Sequence, residues 1–357
     1  MSMIKDHLIQ MQEAEISNTH LSDIEIANSR SISLRSNPAA DSLLGLYFPV
    51  LDHGFVSLVD YMGNDASIAA AARCSYGAGT KAASDDRGLI RYLVRHKHTS
   101  PLEQVELKFH CKMPIFVARQ WVRHRTASLN EMSGRYSIMP LQFYTPDSSV
   151  IRAQSKTNKQ GREEFIDQEA VADYLDNLSQ SRTASEKGYI SALKDDVARE
   201  LARIDLPLST YTEWYWKIDL HNLMNFLRLR CEYDAQYEIR VYADLIAGML
   251  KKIVPFSYEA WVDYIFGSEV FSFQEMQALH KLINDIASSG SCTSLDECLP
   301  SDIAKFAEEN SLSKRDAQEF VSKLKPKARP DFNLDMSKAK TPEYFREQAL
   351  KYVPVIK

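Results

Sequence analysis

The densest polar segment of the chain runs Arg119-Gln120-Trp121-Val122-Arg123-His124-Arg125-Thr126-Ala127-Ser128-Leu129-Asn130-Glu131-Met132-Ser133-Gly134-Arg135-Tyr136. Arg119 and Arg123 lie four apart, as do Gln120 and His124, so on one helix they form adjacent strips of donors. Past the expected helix end come three hydroxyls, an amide, a carboxylate and another arginine. Guanidinium forks match phosphate oxygens in bidentate geometry. Ser and Gly let a ligand approach the backbone closely. Four arginines against one glutamate, set beside apolar Trp121, Val122 and Met132, favour an anion site over a solvated basic face.

The charge of the whole chain sharpens this reading. Its 357 residues carry 43 Lys and Arg against 48 Asp and Glu, a formal net charge of -5. A protein devoted to coating nucleic acid needs a wide basic footprint, which is missing. An anionic ligand therefore requires positive charge concentrated locally. His221 and Asn225 also lie four apart, on a helix whose other face is Leu220, Leu223, Met224 and Leu227. Such a helix anchors itself with one side and presents ligands with the other. The cysteines, Cys74, Cys111, Cys231, Cys292 and Cys298, are odd in number and include no C-x-x-C pair. They read as reduced thiols of a cytoplasmic protein, and the histidines do not gather around them as metal ligands. No apolar run is long enough for a membrane span, and the first residues lack the features of a signal or transit peptide.

Arg123-His124-Arg125 followed after seven residues by Ser133 resembles the signature of the flavin-dependent thymidylate synthases. Asn130-Glu131 and Arg135-Tyr136 extend the likeness. So do Ala72-Arg73-Cys74-Ser75-Tyr76-Gly77, His98-Thr99-Ser100-Pro101-Leu102-Glu103 and Leu201-Ala202-Arg203-Ile204-Asp205-Leu206-Pro207-Leu208. Asn222-Leu223-Met224-Asn225-Phe226-Leu227-Arg228-Leu229-Arg230 and Ala235-Gln236-Tyr237-Glu238-Ile239-Arg240 complete the set, in family order over residues 51–266.

The resemblance implies a homotetramer with shared active sites. It would make dTMP from dUMP, with methylene-tetrahydrofolate as carbon donor and FAD reduced by NADPH. It implies that Gln120, Arg123, Glu131, Ser133, Gly134, Arg135, Arg203 and Arg230 hold dUMP. Ser100, Arg123, His124, Arg125, Glu131, Asp219, His221 and Asn225 would hold FAD, with Glu131 between the two ligands and His98 near flavin and folate. Arg230 would be the catalytic residue, favouring the electron-rich form of the uracil ring. No metal, nucleic acid or membrane partner is implied, and no cysteine acts as nucleophile. The pattern is broken at Cys231-Glu232-Tyr233-Asp234, at Asp219 and at Gln104. The competing readings are another nucleotide-binding flavoprotein oxidoreductase, a nucleic-acid module on the arginine-rich helix, and a non-catalytic assembly protein.

These side chains need a scaffold, and the periodicity supplies one. Residues 55–62 read as a strand, and Asp65 is expected to cap an Ala-rich helix. Leu89, Ile90, Leu93 and Val94 mark a helix face. Val105, Leu107, Phe109 and Cys111 alternate with polar residues, as do Thr212, Trp214, Trp216 and Ile218 with theirs, giving two strong strands with the tryptophans as sheet core. Helices are expected from Pro114 through Trp121, over 168–193, 197–204 and 220–229, and over 235–253. The fold class is α+β, a mixed sheet with long helices and a small helical C-terminal appendage. Residues 1–48 read as a partly disordered arm, 49–267 as the core and 268–357 as a helical extension. In that extension Ser272 and Glu275 form a capping box, Ser313 and Thr341-Pro342 start helices, and residues 325–330 are a linker.

Overall fold

The computed structural model describes residues 36–75, 85–156, 161–289, 299–325 and 327–355. Expectations for residues 1–35, Tyr76, Gly77, Cys292, Cys298 and Pro326 lie outside them. Strands β1 (Tyr47–Val50), β2 (Gly54–Met62), β3 (Glu106–Pro114) and β4 (Ser128–Glu131) precede a short ribbon, β5 (Arg152–Gln154) with β6 (Arg162–Phe165). Strand β7 (Tyr211–Asp219) completes a five-stranded sheet of order β1-β2-β3-β7-β4. The α+β class holds. Every neighbouring pair of strands is antiparallel, where a mixed sheet was expected. The reason lies in the connections: β1 and β2 form a hairpin, and β3, β4 and β7 return by routes that reverse direction.

Alternation decides the faces. Leu107, Phe109, Cys111 and Met113 on β3 and Trp214, Trp216 and Ile218 on β7 are buried on the inner face. Gly54 sits at the hairpin because a Cβ there would meet the Tyr242 hydroxyl at 2.0 Å and the Val50 carbonyl at 2.6 Å. The preceding turn holds Leu51 at a φ of 56°.

The helices are α1 (Pro38–Asp41), α2 (Asp65–Cys74), α3 (Asp86–Arg95), α4 (Ile115–Trp121), α5 (Gln168–Lys194), α6 (Arg199–Ala202), α7 (Leu220–Arg230), α8 (Tyr237–Ile253) and α9 (Pro255–Trp261). Helices α7 and α8 cover the inner face. The Tyr242 hydroxyl of α8 donates to the Lys112 carbonyl at 2.7 Å, and Trp261 Nε1 of α9 donates to the Met224 carbonyl of α7 at 3.0 Å. The cap of α2 is Asn64, whose side chain accepts from Ser67 N at 3.1 Å. Asp65, expected in that role, is buried and instead accepts from Phe256 N, Ser257 N and the Ser257 hydroxyl at 2.8, 3.1 and 2.6 Å. It caps α9, a partner that sequence-local reasoning cannot see.

Helices α10 (Phe273–Ser289), α11 (Ile303–Glu309) and α12 (Lys314–Leu324) form a satellite around Phe306 and Phe320, stacked with centroids 5.5 Å apart. The capping box is formed: Ser272 N donates to Glu275 at 2.7 Å and Glu275 N to the Ser272 hydroxyl at 3.3 Å.

The expected core boundaries at residues 48 and 268 both fall within close packing. Upstream, Ala40 and Leu43 are fully buried and Asn37 Nδ2 donates to the Ile253 carbonyl at 2.7 Å. Downstream, Phe332 packs on Trp261 and Phe266. Tyr47 and Lys340 exchange backbone hydrogen bonds at 3.0 and 2.8 Å. Helix α13 (Pro342–Leu350) then lies on the outer face of the sheet, its Phe345 4.8 Å from Phe55 and 5.9 Å from Tyr47 between centroids.

Phe345→Ala removes the apolar anchor of α13. The expected loss of unfolding free energy is about 3 kcal/mol, read from the midpoint of urea denaturation. An unchanged midpoint would show that α13 does not hold the sheet in solution.

Candidate functional site

Helix α4 ends at Trp121, so Arg123 and His124 leave it on a tighter turn and do not continue its strips. His124 N bonds the Trp121 carbonyl at 3.0 Å and Arg123 N the Gln120 carbonyl at 3.4 Å. The cause is packing. Trp121 is fully buried, stacked on Phe226 at 4.9 Å and edge-on to Trp214 and Trp216 at 5.6 and 5.1 Å. The chain beyond it must turn to reach β4. That strand, to which the sequence periodicity assigned no element, pairs Ser128 with Lys217 through Glu131 with Trp214. All four of its residues are exposed, so no alternation betrayed it.

Three groups of the expected site residues emerge. In the first, the Arg230 Nε at the end of α7 donates to His124 Nε2 at 3.1 Å. The acceptor nitrogen carries no proton, so the neutral ring is the Nδ1–H tautomer. Burial and, second, the Arg230 charge push the His124 pKa down to about 4. Its ring also lies edge-on to Phe226 at 4.9 Å. Burial lowers the Arg230 pKa, yet a guanidinium stays charged. Gln120 of α4 donates through Nε2 to Gln236 Oε1, and Gln236 Nε2 to Glu238 at 2.9 Å. Arg123 and Arg125 are exposed beside this group.

In the second group, Gly134 is the point of contact. A Cβ there would meet Arg203 Cδ and Met139 Sδ, both at 3.0 Å, so the missing side chain admits the Arg203 stem. The Ser133 hydroxyl accepts from Arg135 N at 3.3 Å, and Arg135 pairs with Glu200 at 2.9 Å. Arg199 fastens the loop by donating to the Tyr136 carbonyl at 2.7 Å. Glu131 accepts from the Thr212 hydroxyl at 2.7 Å.

The third group surrounds the start of α7. Asp219 is the cap, its carboxylate accepting from Asn222 N and Nδ2 at 2.9 and 2.7 Å. His221 and Asn225 follow on the less buried side of the helix. His98 and Ser100 are exposed in the turn that precedes β3, tied to α7 by Leu220 N on the Val105 carbonyl at 2.8 Å. Nine residues of helix, roughly 14 Å, separate His221 from Arg230.

Charge is uneven across these groups. Among the described residues Arg119, Arg123, Arg125, Arg203 and Arg230 have no carboxylate partner, whereas Arg135 has Glu200. Guanidiniums without a described carboxylate, in and next to one motif and at the end of α7, have the chemistry to receive an anion. The break in the family pattern lies beside it: Cys231 is buried with its thiol pKa raised, by burial first and then by Asp244. Cys111 is buried with its thiol pKa raised likewise, so neither offers a thiolate. No three His, Cys, Asp or Glu side chains among the described residues are grouped to hold a metal ion. No helix among them is long and apolar enough to cross a membrane. Sequence reasoning gave no role to Gln236, Glu238, Arg162 or Thr212. The first two stand in a quoted segment, but only the fold shows what they touch.

Two cavities lie beside these groups. One of about 570 Å³ is open on the outer face of the sheet, lined by Asp60, Met62, Lys108, Asn130, Tyr215 and Lys217. Another of about 560 Å³ is lined by Tyr144, Arg162, Arg182, Gln236 and Glu238.

Residues 57–256 match the family described as "Thymidylate synthase complementing protein". The chain is similar to the flavin-dependent thymidylate synthase of Ruegeria pomeroyi, 46% identical over 274 residues that cover 75% of this chain and 91% of that one. It is similar to the enzyme of the same name from Dictyostelium discoideum, 51% identical over 238 residues, 64% of this chain and 78% of that one. Among solved structures, a UMP/dUMP methylase, PolB from Streptomyces cacaoi bound with 5-Br UMP, aligns with a TM-score of 0.55 at 31% identity. The alignment covers 61% of this chain and 97% of that chain.

The His124 ring should titrate near pH 4 by NMR. In Arg230→Met the value should rise but stay below the ordinary histidine value, because burial is the larger cause. The lowered folded-state value means that the unfolded chain takes up the proton first. This contribution to stability is intact above the ordinary value and declines as pH falls toward about 4. A wild-type ring that titrates at the ordinary value would contradict the assigned tautomer and contact.

Proposed function

The chain belongs to the flavin-dependent thymidylate synthases, and from that premise we propose how its residues divide the work of converting dUMP to dTMP. The carbon donor is methylene-tetrahydrofolate, and the flavin is FAD reduced by NADPH. Gln120, Arg123, Glu131, Ser133, Gly134, Arg135, Arg203 and Arg230 hold dUMP. Ser100, Arg123, His124, Arg125, Glu131, Asp219, His221 and Asn225 hold FAD, with His98 near flavin and folate. The donor chemistry fits: Arg123 and Arg125, which pair with no carboxylate among the described residues, suit a pyrophosphate, and His124 offers an Nδ1–H without adding charge. Asp219 can serve only through its backbone, because its carboxylate is engaged in the cap. When bound, the flavin supplies the reducing hydride.

Arg230 carries the chemistry that the protein itself provides. C5 of uracil is a weak nucleophile in the neutral ring, and the described buried thiols cannot activate it by addition. A guanidinium held against the ring oxygen and N3 stabilises the negative charge that develops as C5 attacks. The observation that carries this role is that Arg230 donates to a neutral imidazole and to no carboxylate among the described residues. Glu232 and Asp234, its possible partners at the helix end, do not pair with it. Its charge is therefore offset by no described carboxylate, and its contact with His124 is made through Nε.

The FAD residues stand at both ends of α7, which supports a homotetramer that joins the N-terminal end of one subunit's helix to the C-terminal end of another's. The catalytic core is residues 49–267, with 268–357 as an accessory, and its compartment is the cytoplasm.

The purified protein should be yellow and should release FAD on denaturation. Arg230→Ala and Arg230→Lys should keep FAD and its reduction by NADPH. Both should lose on the order of a hundredfold to a thousandfold in dTMP formation at saturating dUMP. Arg135→Ala and Arg203→Ala should chiefly raise KM. Near-normal turnover of Arg230→Lys would remove Arg230 from the mechanism. A colourless preparation that takes up no FAD would remove the flavin.

A further inference from the structure

Glu238, at the start of α8, is almost fully buried although it carries a carboxylate. Arg162 of the β5–β6 ribbon grips it with Nη2, at 2.6 Å to Oε1 and also to Oε2, while Arg162 Nη1 donates to the Val150 carbonyl at 2.8 Å. The Tyr144 hydroxyl donates to Oε1 at 3.1 Å. An arginine only donates, so both carboxylate oxygens accept. Gln236 must then turn its NH2 toward Glu238, as the 2.9 Å contact from Nε2 shows. Its carbonyl oxygen consequently faces Gln120, which must present its own NH2. The Gln120 carbonyl oxygen is left pointing away from Gln236, and no described residue donates to it.

We infer that Glu238, acting through Gln236, is a positioning residue that locks the Gln120 amide with its carbonyl oxygen toward the nucleotide, so that the site accepts a hydrogen bond there and cannot donate one. This rests on the reading that Gln120 touches dUMP. Each amide has two faces of opposite polarity, and a turn of either one would set like against like. The Arg162–Glu238 ion pair thus fixes hydrogen-bond polarity two side chains away, at Gln120. The ligand group that meets Gln120 must be a donor. On dUMP that is the 3′-hydroxyl of the sugar or, in the neutral ring before Arg230 engages N3, the N3–H of the base. A site built to accept from such a group rejects a ligand that presents an acceptor in its place.

The chemistry dictates its own reversal. In Glu238→Gln the new carbonyl faces Arg162 and the new NH2 faces Gln236. The relay inverts, and Gln120 turns a donor to the nucleotide. In the double variant Gln236→Glu with Glu238→Gln, residue 236 accepts from both neighbours and the original polarity returns at unchanged total charge. Calorimetric titration of the FAD-loaded enzyme would use dUMP, N3-methyl-dUMP and 2′,3′-dideoxyuridine monophosphate. FAD content reports that each variant is folded. Glu238→Gln should weaken dUMP on the order of tenfold to a hundredfold, the cost of opposing two buried donors. That penalty should vanish for whichever analogue lacks the donor that meets Gln120, and the double variant should recover dUMP affinity to within about threefold. Equal weakening for all three ligands without recovery in the double variant would overturn the relay and leave Glu238 as a partner for Arg162 alone. Gln120→Ala separates the two layers. If it leaves dUMP affinity unchanged, Gln120 is not at the nucleotide and the inference falls with that residue's assignment.

Discussion

The burial of Trp121 sets the geometry of the site. Its indole is enclosed by Trp214, Trp216, Phe226 and Tyr242, with ring centroids 4.9 to 5.9 Å away. An aromatic side chain buried on this scale contributes several kcal/mol, so the backbone around it has one position. Gln120 on one side and Arg123-His124-Arg125 on the other inherit that position. Phe226 serves twice: one face packs on Trp121, and its edge contacts involve His124, whose ring meets Arg230 from the same helix. A polar motif is thereby fixed by an apolar core that takes up none of the Arg123 and Arg125 donors. Two indole N–H groups, Trp121 Nε1 and Trp214 Nε1, are buried without an acceptor among the described residues. The electron-rich faces of the neighbouring rings are the groups at hand to receive them.

The same packing explains how positive charge accumulates in an acidic chain. Some arginines elsewhere are compensated: Arg87 and Arg91 share Glu259, and Arg162 has Glu238. The rings packed around Trp121 supply no carboxylate, and Arg119, Arg123 and Arg125 pair with none among the described residues. His124 would add one more like charge, and its burial beside Arg230 keeps it neutral. Arg135 differs because its loop rests on α6, where Glu200 is within reach; a phosphate would have to compete with that pair, which is exposed and therefore weak.

The alternating strands β3 and β7, helices α5, α7 and α8 and the capping box at Ser272 were legible from sequence because period and cap are local properties. Strand β4 was not, since its residues are exposed and its partner β7 lies some eighty residues on. Asp65 was misread for the same reason: its carboxylate caps a helix nearly two hundred residues away. The residue types of the anion site were legible, and the family likeness assigned their ligands. Their division into groups, and the Gln120–Gln236–Glu238 relay, depend on side chains from α4, α8 and the β5–β6 ribbon, which no spacing rule connects.

Helix α7 is the ruler that links these parts. Its N-terminal end is pinned to β3 by Leu220 on Val105, and its C-terminal end to the arginine motif through Arg230 on His124. Its inner face is locked by Trp261 on the Met224 carbonyl. These contacts hold it at both ends and along its inner face, which sets the distance between its two functional ends. A ligand that needs both ends must then run along the helix or bridge to a neighbouring subunit. The outer face of the sheet bears on that choice. Helix α13 covers the half around Tyr47 and Phe55, while no described residue covers the half beside β4. The covered half is closed to a partner by the chain's own C-terminal segment, so any subunit contact on that face has to form next to the strand that carries Glu131.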